Sequence, residues 1–160
     1  MAITQALCTS FRAETLLGVH DFRPTGDSGA CTFKIALYSS SATLSANTTA
    51  YTTSGEITGT NYTAGGATLT NLGVTATNTN ASTGVGFLDF SDAVWYTATI
   101  TARGAVIYNS TPKANSNANT TLTNAAVCVL DFGSDKLTVA GDFTVKFPTA
   151  DGTSAIIRIA

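Results

Sequence analysis

The chain has 160 residues, a formal net charge of −2 and only 11% charged residues, against roughly 25% in an average soluble domain. A single domain of this length buries about two thirds of its unfolded surface and needs no covalent staple. Without a basic field, nucleic acid is not an expected partner. Because no apolar run approaches the roughly 18 residues of a spanning helix, neither is a membrane.

The first element read from the pattern is a helix over 3–19. Ile3, Ala6, Leu7, Phe11, Ala13 and Leu17 share one stripe at helical spacing, and Gly18 stands where a helix stops. It is expected to pack on an otherwise β protein. His20, the single histidine, follows beside Asp21 with no nucleophile or metal-ligand set in view. Arg23 to Gly29 reads as a turn, and Thr32 to Tyr38 as a core strand with Phe33, Ile35 and Leu37 on one face.

From Ser39 to Gly66 the chain is Ser, Thr, Gly, Asn and Ala punctuated by Leu44, Tyr51, Ile57 and Tyr62. A stretch of that length in a compact domain is expected to be a loop with a binding task, its tyrosines serving as contact anchors. Thr68 to Val74 reads as a short strand, Thr75 to Gly86 as a polar loop, and Phe87 to Phe90 as the entry to the strongest signal in the chain.

That signal is Val94 to Asn109, in which the even positions Val94, Tyr96, Ala98, Ile100, Ala102, Gly104, Val106 and Tyr108 are apolar, aromatic or small and threonines alternate with several of them. A period of two is a β-strand. Sixteen extended residues span roughly 50 Å at about 3.3 Å each, so a bend is expected at Gly104, with the segment crossing there from one sheet to another. Trp95 and Tyr96 fall on opposite faces and are candidate contact residues, one inside and one outside.

A polar stretch from Asn109 to Asn124 follows, then a strand Ala125 to Phe132, a turn Gly133 to Lys136, a strand through Phe143, Val145 and Phe147, and a last strand Ala155 to Ile159. Eight or nine strands without alternating helices imply one all-β domain over 1–160, an antiparallel β-sandwich or jelly-roll-like fold with one N-terminal α-helix. Chemistry is expected to be absent. No nucleophile elbow, phosphate loop, zinc helix motif or calcium loop occurs, and Asp131, Asp135 and Asp142 read as solvated turn residues. Cys8, Cys31 and Cys128 show no paired spacing and read as reduced structural thiols. The chain is therefore read as a non-enzyme with no metal or cofactor, its candidate interaction residues being Tyr51, Tyr62, Trp95 and Tyr96.

The segments SFRAETLLGVHDF, FKIALYSSSATL, TAYTTSGEITGTNYTAGGATLTN, TARGAVIYN, VLDFGSDK, GDFTVKFP and AIIRIA, taken together and in order, resemble a family of small virion structural proteins of tailed bacteriophages. The resemblance implies a protein made in the bacterial cytoplasm without an export signal and incorporated into the virion. The first expectation is a capsid decoration or cement protein, a homo-oligomer such as a trimer that bridges neighbouring major capsid proteins through many weak contacts. The alternatives are a neck, tail or baseplate accessory, distinguished by a lower copy number, and a glycan-binding adhesion module that uses Tyr51, Tyr62 or Trp95.

Overall fold

A computed structural model describes residues 2–77, 83–114 and 122–160. Among them lie strands β1 (Ala6–Leu7), β2 (Phe33–Tyr38), β3 (Ala67–Thr68), β4 (Asn71–Thr77), β5 (Val85–Phe90), β6 (Ala93–Asn109), β7 (Ala125–Val145) and β8 (Ile157–Ile159), and one helix, α1 (Thr9–Leu16). The strands form two antiparallel sheets, one in the order β1-β7-β6-β2-β3 and the other β4-β5-β8. The fold is all-β with two packed sheets and a single short helix.

Aromatic side chains join the layers. Phe33 on β2 stacks on Phe22 at 4.5 Å and meets Phe90 of β5 at 5.6 Å, while Phe90 also touches Phe147 at 6.0 Å. Phe33 and Phe90 are almost fully buried, and burying a side chain of that size contributes about 1.5–3 kcal/mol. β2 is the core strand expected, and it is covered on both faces except at Lys34. The second face is covered by the 39–66 segment, which is pinned to the sheets through bridges at Ile3↔Leu44, Tyr38↔Glu56, Ala50↔Ala125 and Thr60↔Thr99.

The long strand is where it was expected, but it does not cross between sheets. β6 pairs with β7 from Ala93↔Val145 to Asn109↔Ala125, entirely within the larger sheet. Gly104 marks the point where the β2 ladder ends, at Tyr38↔Gly104. Its lack of a side chain is required by close approach, since a Cβ there would sit 2.5 Å from the Leu130 carbonyl oxygen and 3.0 Å from Ile3. The chain instead changes sheet between β3 and β4, so the expected strand Thr68 to Val74 is divided across the two layers.

Three other expectations are corrected. The helix covers Thr9–Leu16 rather than 3–19. Residues 3–7 are extended because the sheet edge offers them partners, Ala6 and Leu7 pairing with Val129 and Cys128 and Thr4 donating to the Leu44 carbonyl. The inward face of α1 is Phe11 and Glu14, which leaves Ala13 exposed and Leu16 90% exposed. Gly18 does end the helix as predicted. At φ +70° it supports a Schellman cap, with Val19 N–H donating to Glu14 O at 3.0 Å and Gly18 N–H to Thr15 O at 3.1 Å.

The Gly133–Lys136 turn is absent, and β7 runs through it. Because Ala102 faces Lys136 and Gly104 faces Asp131, residues 132–135 bulge opposite Arg103. Gly133 at φ +75° allows this, and its N–H donates to Asp131 Oδ1 at 2.8 Å. The third correction is to the phase of β6. Thr97 sits at φ +50° and the ladder shifts between Trp95 and Ala98, so the inward set changes from odd to even positions there. Trp95 is buried and Tyr96 exposed, whereas an uninterrupted period would have put Tyr96 with Ala98 and Ile100 on one face.

Candidate functional site

Glu56 is the only charged residue between Lys34 and Asp89 in the sequence, and it gathers the tyrosines of the long loop. Tyr51 O–H donates to Glu56 Oε2 at 2.6 Å, and Tyr62 O–H and the Gly65 N–H each donate to Oε1 at 2.7 Å. Tyr62 Oη also accepts from Leu37 N–H at 2.9 Å, tying the loop to β2. Around this hub Tyr51 stacks on Tyr108 at 4.9 Å, Tyr108 donates to Gly65 O at 2.7 Å, and Tyr38 donates to Thr52 O at 2.6 Å.

Burial raises the pKa of all four phenols and so suppresses their ionisation, with the Glu56 carboxylate adding to the effect. Tyr51 and Tyr108 are each pushed up to about 12, and Tyr38 and Tyr62 are raised further. Neutral phenols donating to one carboxylate make a structural lock with little acid or base capacity near neutrality.

Of the four candidate interaction residues, three are therefore engaged within the chain. The hydroxyls of Tyr51 and Tyr62, expected as contact anchors, face Glu56. Trp95 is buried, with Tyr62 and Phe143 each 6.1 Å away. Tyr96 is open, at 68% exposure.

Tyr96 belongs to a distinct surface. Before Gly104, β6 lacks β2 as a neighbour and runs with β7 as a two-stranded ribbon. Leu137 and Val139 of β7 are 67% and 68% exposed there. The ribbon's ladder is irregular, and hydrogen bonds between side chains and backbone fix its course. Asn61 Nδ2 donates to the carbonyls of Tyr96 and Thr97 at 3.2 and 3.1 Å, Thr97 N–H donates to Asp142 Oδ1 at 3.0 Å, and Ala140, itself at φ +47°, donates through its N–H to Thr99 Oγ1 at 3.0 Å. The result is a ribbon held in one shape with three large apolar side chains exposed on it.

Compared with known proteins, the chain matches no family model, no curated relative and no solved structure.

Several other titratable groups have partners within the chain. His20 lies fully covered between Glu14 and Asn109, its Nε2 2.8 Å from Glu14 Oε2 and its Nδ1 3.1 Å from Asn109 Nδ2. Arg103 donates to Asp131 Oδ1 at 3.1 Å, and Arg23 pairs with Asp21 at 2.5 Å. The Arg23 hydrogen bond holds the Asp21 carboxyl down at about 2. Cys8, Cys31 and Cys128 are free and buried. Burial raises Cys8 to about 11 and Cys128 further, with a smaller contribution from Glu14 at Cys8 and from Cys8 at Cys128. Among the described residues, no group of three or more His, Cys, Asp or Glu is placed to hold a metal ion, and no helix is long and apolar enough to cross a membrane.

Sequence reasoning missed two sites. The Glu56 hub carried a signal, a lone carboxylate in an uncharged stretch flanked by Tyr51 and Tyr62. The ribbon carried none, because the exposed faces of Leu137 and Val139 follow from the unbroken path of β7.

Proposed function

We propose that this chain is a structural component of a tailed-phage virion, acting as a capsid decoration or cement protein that bridges neighbouring major capsid proteins as a homo-oligomer, with a trimer as the working assumption. The observation that carries the reading is the ribbon face bearing Tyr96, Leu137 and Val139. Three large apolar side chains stand open on a backbone locked by side-chain hydrogen bonds, in a protein whose histidine and tyrosine hub are committed internally. Apolar side chains exposed on a fixed, weakly charged surface suit repeated contact with symmetric neighbours, where many modest interfaces add through avidity.

A neck or tail position differs in copy number rather than in surface chemistry. The glycan-binding reading draws less support, because Tyr51, Tyr62 and Trp95 spend their hydroxyls or ring faces on Glu56, Tyr108 and Phe143.

The test is to image the intact particle and count copies at each symmetry position. The expected result is hundreds of copies on the capsid, with particles lacking the protein losing DNA at lower temperature. Six to a few dozen copies would move the protein to the neck or tail, and absence from purified particles would overturn the proposal. In binding to stripped particles, a Tyr96→Ser, Leu137→Ser variant is expected to remain folded yet attach at least tenfold more weakly.

A further inference from the structure

We propose that Glu14, His20 and Asn109 form an acid-sensitive latch on the segment that follows β6, in which proton uptake by His20 turns the Asn109 amide and releases Thr111 from its hydrogen bond. One donor in this group has a fixed identity. The backbone N–H of Thr111 donates to Asn109 Oδ1 at 3.0 Å, in an Asx turn that fixes which end of the amide is oxygen. Asn109 Nδ2 therefore points at His20 Nδ1, 3.1 Å away. An amide nitrogen only donates, so Nδ1 must present a lone pair. The single imidazole proton is then on Nε2, where it is donated to Glu14 Oε2 at 2.8 Å. His20 is the neutral Nε2–H tautomer.

A second proton at Nδ1 would face the Asn109 amide protons. Relief comes from rotating the amide so that Oδ1 accepts from Nδ1–H. Nδ2 then confronts the Thr111 N–H, and the Asx turn is broken. Thr111 matters beyond its own bond, because its Oγ1 accepts from Thr32 N–H at 2.7 Å while Ser110 N–H and Oγ each donate to Thr32 O at 2.9 Å. These contacts join the end of β6 to the start of β2. Lys113, whose N–H donates to Val19 O at 2.9 Å, extends the join.

The surroundings favour the neutral ring. Phe11, Phe22 and Phe33 lie 4.9, 6.0 and 6.5 Å from it. Burial lowers the pKa of His20, and Glu14 opposes this only in part. On the neighbouring segments Cys31 Sγ is directed to Val19 O, Cys8 lies on the Glu14 side, Asp21 is paired with Arg23, and the Lys113 ammonium donates to Gly29 O. Among the described residues, the Glu14 carboxylate is the charged group that touches the ring. A histidine depressed in the fold contributes stability that is complete above its ordinary value near 6.5 and declines as pH falls through the folded value.

Because His20 is the chain's only histidine, nitrogen-15 NMR of the ring reads its tautomer without assignment ambiguity. The expected result is Nε2–H at neutral pH. As the ring titrates, hydrogen exchange at the Thr111 amide, corrected for intrinsic rates, should rise about five- to tenfold relative to Val106, the loss expected for one hydrogen bond. In Asn109→Asp a carboxylate accepts from both sides, so His20 should stay charged across the neutral range and Thr111 exchange should no longer depend on its titration. An Nδ1–H tautomer at neutral pH, or Thr111 exchange that follows Val106 throughout, would overturn the proposal. The wild-type measurements decide the matter even where the variant does not fold.

Discussion

Replacing Glu56 tests whether the long loop is held by its hub. Glu56→Ala removes three hydrogen bonds to a carboxylate, from Tyr51, Tyr62 and Gly65 at 2.6–2.7 Å. Bonds to charged groups contribute about 1.5–3 kcal/mol each when removed singly, but three that share one acceptor do not add. Glu56 is itself only partly buried, and water will replace part of what is lost. The expected cost is about 3–5 kcal/mol, in the range for breaking a partly buried network. For a chain of this size that corresponds to a fall of roughly 6–20 °C in Tm.

Glu56→Gln keeps an oxygen for Tyr62 and Gly65 and leaves Tyr51 to turn its hydroxyl and accept from the amide, so its cost should be about 1–2 kcal/mol. Urea unfolding followed by tryptophan fluorescence suits the measurement, because Trp95 packs beside Tyr62. A loss below about 1 kcal/mol for Glu56→Ala, or equal losses for the two variants, would refute the idea that the carboxylate organises the loop.

Three further outcomes are expected. Gly104→Ala should destabilise the fold by about 2–4 kcal/mol in the same assay, since the added methyl meets the Leu130 carbonyl oxygen at 2.5 Å and backbone must shift. Thr97→Asn should raise stability by about 0.5–1 kcal/mol, because a β-branched residue is held at φ +50° where asparagine is better tolerated. Above pH 10 the protein should lose stability progressively. The fold keeps Tyr51 and Tyr108 neutral up to about 12 while unfolded tyrosine ionises near 10, so their contribution is complete below 10 and disappears as pH rises through the folded values. Absorbance at 295 nm, read beside unfolding midpoints, checks this.

The layered β architecture was legible because alternation survives wherever one sheet face is buried, as from Ala98 to Ala102. The helix was over-extended because Ile3, Ala6 and Leu7 fit a helical stripe equally well as a strand edge, and only the presence of Val129 and Cys128 beside them decides for the edge. Two local features hid the course of the ribbon. Thr97 inserts a left-handed residue that no turn signal announces, and Asp131 to Lys136 has the composition of a turn yet is absorbed as a bulge, because β6 continues to offer partners on either side. The tyrosines were located correctly on the loop, but their direction depends on where Glu56 falls in space. The outward face of Leu137 and Val139 depends likewise on the register of the ladder.

The pairing of Ala6 and Leu7 with Val129 and Cys128 also sets a timetable for synthesis. Since the strand Ala6–Leu7 has no place in its sheet until the ribosome has passed Val129, β2 to β6 are all made before the larger sheet can close. The smaller one waits longer still, for Ile157 to Ile159. Neighbouring hairpins form early in such a topology, and the distant partners dock last and slowly. A nascent copy therefore presents an open sheet border until β7 has emerged, and the low charge of the chain gives that border little protection from its siblings.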